Sequence, residues 1–166
     1  MRMWRRNSGF TLIELMIVVT LVAIIATVAV PSFQGLVESN RQKSTTNSVL
    51  GLLNFARSEA VRRGEPVAVR AAGATLQDGL QVILLSVPPN QDPNPLRTMG
   101  ALPGSVQLSL DIGDMPVFRG DGMKNRESDP TSIFSICPGN GNPGELVVVN
   151  AGGQTNRSSV SATACP

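Results

Sequence analysis

Apolar residues are spaced in three different ways along this chain. From Phe10 to Val30, 21 consecutive residues carry a single charge, at Glu14. A helix needs roughly 20 apolar residues to cross about 30 Å of hydrocarbon, so this run predicts a membrane-spanning helix. Downstream, Phe33, Leu36 and Val37 give way to polar residues. Val49, Leu52, Leu53, Ala56 and Ala60 then recur every three or four positions. That spacing lines one face of a helix. Arg62 and Arg63 suit the negative end of the helix dipole, and Gly64 suits the position just beyond it. The pattern predicts one helix from Phe10 to Arg63, bent near Pro31, because proline removes a hydrogen bond from the ladder. Gly35 is a second candidate for the bend. At about 1.5 Å per residue the helix would measure roughly 80 Å.

Beyond Gly64 the period changes. "PVAVRA", "LQVILL", "VQLSL", "SIFSIC" and "ELVVVN" are short β-rich runs separated by Gly, Pro, Asn and Asp. They predict an antiparallel sheet or small sandwich of five to seven strands, with the final "RSSVSATA" as one more. "SVPPNQDPNPLRTMGALPG" carries five prolines and reads as a surface loop. The fold class is therefore α+β, a long N-terminal helix packed on a C-terminal antiparallel β domain. The expected organisation is a spanning segment over 10–30, an amphipathic second half of the helix over 31–63 and a globular β domain over 64–166.

Charge sharpens this picture. Arg2, Arg5 and Arg6 precede the apolar run and favour a cytoplasmic start, which leaves the rest of the chain outside the inner membrane. The formal charge is +2, but it depends on those three arginines. Without residues 1–9, eleven basic side chains face twelve acidic ones, a balance of −1. Net charge then gives no argument for binding nucleic acid or an anionic surface. Histidine is absent and there are only two cysteines. That removes any His-centred catalytic site and makes a multi-Cys metal site a poor fit.

An ordinary secretory signal with cleavage near Thr27 and Ala29 is the simplest account of the first thirty residues. The apolar run is longer than the usual 7–15 residues of such a signal, however, and it contains a carboxylate. At the bilayer centre that group would cost about 2.5–3.5 kcal/mol. The stretch "GFTLIELM" resembles the processing site of type IV pilins and of the related type II secretion pseudopilins. The resemblance implies that residues 1–9 are a leader. It also implies that a prepilin peptidase cuts after Gly9, that Phe10 becomes the N-methylated N-terminus, and that Glu14 is an assembly residue. An ammonium at Phe10 and a carboxylate at Glu14 are each costly in lipid, and pairing removes much of that cost; the resemblance implies that Glu14 faces the terminal amine of a neighbouring subunit.

"LNFARSEAVRRGEPV" resembles the end of the first helix in FimT/FimU-type minor pilins and in minor pseudopilins of the GspH family. "VFRGDG" and "ICPGNGNPGELVVVNAGG" resemble later strands of the same family. The resemblance implies a long helix on β-sheets, and a subunit that starts pilus assembly within a tip complex. Its location would be single-pass in the bacterial inner membrane, with the C-terminal domain in the periplasm, and then in the filament. Partners implied are other minor and major pilins, the prepilin peptidase, an inner-membrane assembly platform and membrane lipid. The alternative is a minor pseudopilin of a type II secretion system. A second alternative is a DNA-binding receptor at the pilus tip. Members with that role carry a C-terminal Gly-Arg-x-Arg-like stretch, whereas here Gly153 is followed by Gln154 and only Arg157 remains. Arg119, Lys124, Arg126 and Arg157 are the candidate DNA-binding residues.

Outside the membrane, Cys137 and Cys165 would lie in an oxidising compartment, and a bridge between them is the favoured state. Two free thiols or a metal site are the alternatives. Arg119–Asp121 spells "RGD", a three-residue match that carries almost no information. Asp111, Asp114, Asp121, Glu127 and Asp129 fall in one loop-rich region, but they do not follow the spacing of a calcium-binding loop. No nucleophile–base pair stands out, so no enzyme activity, metal or cofactor is expected.

Overall fold

A computed structural model describes residues 9–86, 94–125, 130–139, 143–159 and Cys165. The described chain falls into two compact units, residues 1–37 and 38–166. One helix, α1 (Leu12–Arg63, 52 residues), contributes to both and continues through Pro31.

Within the first unit, α1 begins two residues later than the apolar pattern suggests. Thr11 takes the position before the first helical residue, and its Oγ1 accepts the backbone N–H of Glu14 at 3.3 Å. This is the N-terminal half of a capping box, Thr-x-x-Glu, and it satisfies one of the donors a helix start leaves unpaired. The large side chains from Phe10 to Leu36 are exposed. Two hydroxyls interrupt this apolar surface, and each is satisfied locally. Thr20 donates to the Met16 carbonyl at 2.8 Å and Thr27 to the Ile24 carbonyl at 2.7 Å. Neither therefore presents an unpaired donor to an apolar medium.

In the second unit, residues 38–63 of α1 bury the apolar row read from the sequence. Val49, Leu52, Leu53, Ala56 and Ala60 are all buried. The helix ends as expected: Gly64 has φ +70° and its N–H closes on the Ala60 carbonyl at 2.9 Å. A left-handed residue at this position is where glycine is favoured.

Among the described residues eight strands follow: β1 (Val67–Ala71), β2 (Leu80–Leu84), β3 (Arg97–Thr98), β4 (Val106–Ile112), β5 (Val117–Phe118), β6 (Ser132–Pro138), β7 (Glu145–Val149) and β8 (Thr155–Ser159). They form two four-stranded sheets, ordered β3-β2-β1-β5 and β4-β6-β7-β8. Every pairing is antiparallel. Inward residues of both sheets share one core with the helix: Val67, Val69, Val82 and Phe118 from the first, and Leu108, Phe134, Ile136 and Val147 from the second. Three details differ from the sequence expectation. The proline-rich stretch read as a loop contains β3. The last strand is centred on Thr155–Ser159, earlier than "RSSVSATA", whose residues 160–164 lie outside the described residues. Strand β5 is a further two-residue strand that the apolar pattern does not mark.

Candidate functional site

The N-terminal site expected from the sequence comprises Gly9, Phe10 and Glu14. Gly9 and Phe10 precede the helix without regular structure, and Phe10 is 84% exposed. Glu14 lies in the first turn of α1 and is exposed, surrounded along the helix by exposed Leu12, Ile13, Leu15 and Met16. A carboxylate near a helix N-terminus is also favoured by the dipole. The site thus presents a bond in non-helical backbone, one carboxylate, and an apolar helix long enough to span a membrane, with mean hydropathy 2.7 over its most apolar window.

Cys137 and Cys165 form a disulfide, with Cα atoms 5.6 Å apart. It fastens the chain near its C-terminus to the end of β6. Gly144 lies against it, and a Cβ there would sit 2.5 Å from the Cys165 sulfur.

Of the four candidate DNA-binding cations, three lie among the described residues. Lys124 is 1% exposed and bridges to Phe118, with its backbone N–H on the Ala151 carbonyl at 3.1 Å. Arg119 pairs with Asp121 at 3.1 Å, and Arg157 pairs with Glu145. Arg126 lies outside the described residues. The Arg-Gly-Asp segment is a structural turn. Gly122 N–H closes on the Arg119 carbonyl at 2.8 Å, and Asp121 Oδ1 accepts the Met123 N–H at 3.0 Å. Of the acidic residues weighed for calcium, Asp111 accepts hydrogen bonds from Ser109 and Ser135 at 2.8 and 3.0 Å. Glu127 and Asp129 lie outside the described residues. Among the described residues, no three acidic, His or Cys groups are arranged to hold a metal.

Several residues that sequence reasoning passed over organise the second unit. Gln42 is buried and donates to the carbonyls of Ile136 (3.3 Å) and Pro143 (3.0 Å). It continues the buried row of α1 about two turns earlier, and a polar residue on that row was the available signal. Arg57 donates from Nε to the Gly122 carbonyl at 3.0 Å. Gly153, at φ +72°, packs against the same carbonyl so closely that a Cβ there would overlap it. Glu59 accepts from Arg62 at 2.9 Å and from Arg63 at 2.6 Å. The Arg62 hydrogen bond, followed by that of Arg63, lowers its carboxyl from 4.5 to about 2. The Arg97 guanidinium stacks 5.2 Å above the Phe55 ring. The "FARSEA" segment is therefore a packing and clamping element.

The comparisons with known proteins agree with this geometry. Residues 45–153 match the family described as Type II transport protein GspH, and residues 4–30 match the prokaryotic N-terminal methylation motif. A "Fimbrial protein" of Pseudomonas aeruginosa is 31% identical over 120 residues, covering 66% of this chain and 70% of that protein. The crystal structure of the type IV minor pilin FimU of Pseudomonas aeruginosa has a similar fold, with TM-score 0.63 and 18% identity over 79% of this chain and 96% of that one. The minor pseudopilin EpsH from the type 2 secretion system of Vibrio cholerae is similar at TM-score 0.52 and 16% identity, over 72% of this chain and 97% of that one. Its GspH domain behind a methylation-type N-terminus makes this chain a member of the GspH family of pilins and pseudopilins, a family of structural subunits rather than enzymes.

Proposed function

We propose that this chain is a minor type IV pilin that primes pilus assembly as a structural subunit near the tip. The observation that carries the reading is the N-terminus: a methylation-type motif heads an apolar helix whose large side chains are exposed among the described residues of the first unit. A prepilin peptidase cuts after Gly9, and Phe10 is then N-methylated. The apolar helix holds the chain in the inner membrane by a single pass, with the β domain in the periplasm. As the inner-membrane assembly platform lifts the subunit out, Glu14 pairs with the terminal amine of a neighbouring subunit. That pairing sets register because each charge is costly alone in an apolar medium. Pro31 supplies the bend. The fimbrial relative supports a pilus over other destinations.

A second reading is the minor pseudopilin of a type II secretion system, favoured by the GspH domain itself. One experiment separates the two: delete the chain in its host, shear and quantify surface pili, and assay secretion substrates in the same supernatant. Loss of pili with normal secretion is the expected result. Normal pili with substrates trapped in the periplasm would transfer the protein to the secretion system.

A further inference from the structure

Every open sheet has two edges, and an edge strand presents unpaired backbone N–H and C=O groups unless something covers them. Three of the four edges here are short or covered. Strand β3 has only two residues. The outer side of β5 is occupied by the following turn, where Asn125 N–H bonds the Val117 carbonyl at 2.8 Å and Arg119 N–H bonds the Met123 carbonyl at 2.8 Å. Strand β4 is plugged by a side chain. With its amide oriented to satisfy both neighbours, Gln77 donates to the Val106 carbonyl at 3.2 Å and accepts from the Leu108 N–H at 3.0 Å. An amide side chain imitates there the strand that would otherwise add.

Strand β8 is different. The Asn150 N–H bonds the Gln154 carbonyl at 3.0 Å, which makes that pair a hydrogen-bonded one. Bonded and non-bonded pairs alternate in an antiparallel ladder, so Asn156 and Ser158 bond back to β7. The N–H and C=O groups of Thr155, Arg157 and Ser159 are turned away from it. Among the described residues no hydrogen bond reaches them. The strand contains neither proline nor lysine, the usual guards of an edge.

We propose that the β8 edge receives an extended strand from a different pilin-type subunit, which becomes the fifth strand of the second sheet. This rests on the reading of the chain as an assembly subunit. Self-pairing is disfavoured on two counts. The β4 edge of a second copy is plugged, and two antiparallel β8 strands paired over their full length would set Arg157 opposite Arg157. Charge defines the incoming strand. Lys43, Gln42, Pro143, Gly144, Glu145 and Ser159 line one groove beside β8, and the Glu145 carboxylate there is already paired with Arg157. Lys43 is exposed and has no ion-pair partner among the described residues. The partner strand therefore carries a carboxylate on its helix-facing side, near the Ser159 end.

The test compares Arg157→Pro with Arg157→Ala in the full-length chain. Both lose the ion pair with Glu145. Only proline removes an N–H that points outward, and it leaves the β7 ladder intact. Incorporation into sheared filaments is read by immunoblot, and melting by calorimetry in detergent. The proposal expects equal melting temperatures and at least tenfold less Arg157→Pro than Arg157→Ala in filaments. If Arg157→Pro melts lower, Ser159→Pro replaces it. Amide hydrogen exchange on the wild type adds the direct measurement: residues 155, 157 and 159 exchange freely in detergent and at least a hundredfold more slowly in filaments. Equal incorporation of the proline and alanine variants, or free exchange in filaments, overturns the proposal. Absence of the wild-type chain from every filament fraction overturns the subunit reading beneath it.

Discussion

The Cys137–Cys165 bond makes a quantitative prediction. Its ends are 28 residues apart in sequence, so it closes a loop of about 29 residues in the unfolded chain. In the chain-entropy account a loop of that size contributes about 3.6 kcal/mol at 25 °C. Unfolding entropy near about 2.1 cal/mol/K per residue gives the unit over 38–166 roughly 0.27 kcal/mol/K. Breaking the bond should then lower its Tm by about 13 °C. Cys165→Ala, Cys137→Ala and the double variant form a cycle. If one bond is all the two residues share, each single variant loses nearly the full amount and the double loses little more. Cys137 is buried, so its variant should fall slightly further through lost packing. The only tryptophan is Trp4 and tyrosine is absent, which leaves tryptophan and tyrosine fluorescence blind to this unit and makes calorimetry of the full-length chain in detergent the assay. Reducing the wild type should reproduce the Cys165→Ala melt. A fall below about 3 °C, or single effects that simply add, would refute the reasoning.

Three further predictions concern the second unit. Glu59 is held at about 2 from an ordinary 4.5, so its stabilisation is complete above pH 4.5 and is lost as pH falls from there toward 2. Melting at pH 6, 4 and 3 should show wild type and Glu59→Gln converging in acid, and parallel curves would sink the assignment. Gly153→Ala should destabilise by about 2–4 kcal/mol, since its φ is positive and its Cβ meets the Gly122 carbonyl. Gly152→Ala, with only Asn150 Oδ1 nearby at 3.4 Å, is the control, and the idea fails if both melt alike. Gln77→Ala should uncover the β4 edge and raise self-association measured by analytical ultracentrifugation in detergent; an unchanged sedimentation profile would remove the plug from the account.

How much of this was legible in the sequence depends on where each residue's partners lie. The helix was readable to within two residues at its start and to the residue at its end, because the run from Phe10, the row Val49–Ala60 and the Arg62-Arg63-Gly64 ending are all local patterns. Five of the strands were readable because one or both faces are buried and apolar. Strands β3 and β5, two residues each, are too short for any alternation to register. Strand β8, "TNRSS", is nearly all exposed, so its boundaries carried no hydrophobic signal. The clamp residues were hidden for another reason. Arg57 meets a carbonyl 65 positions away and Gln42 meets one 94 positions away, and nothing near either residue announces its partner. Lys124 shows the converse failure, since a basic residue in a loop-rich stretch reads as surface until its burial is seen.

Gln42 and Arg57 lie fifteen residues apart on α1, about 22 Å along its axis. Each reaches across to strand or turn backbone, Gln42 at the disulfide end of β6 and Arg57 where the turns at Gly122 and Gly153 meet. A tension applied along the helix is therefore delivered to the β domain at two anchorages rather than one. Peeling the sheets away from the helix from either end must first break a fastening at that end. A domain joined this way takes load along the helix in shear, with both fastenings sharing the force.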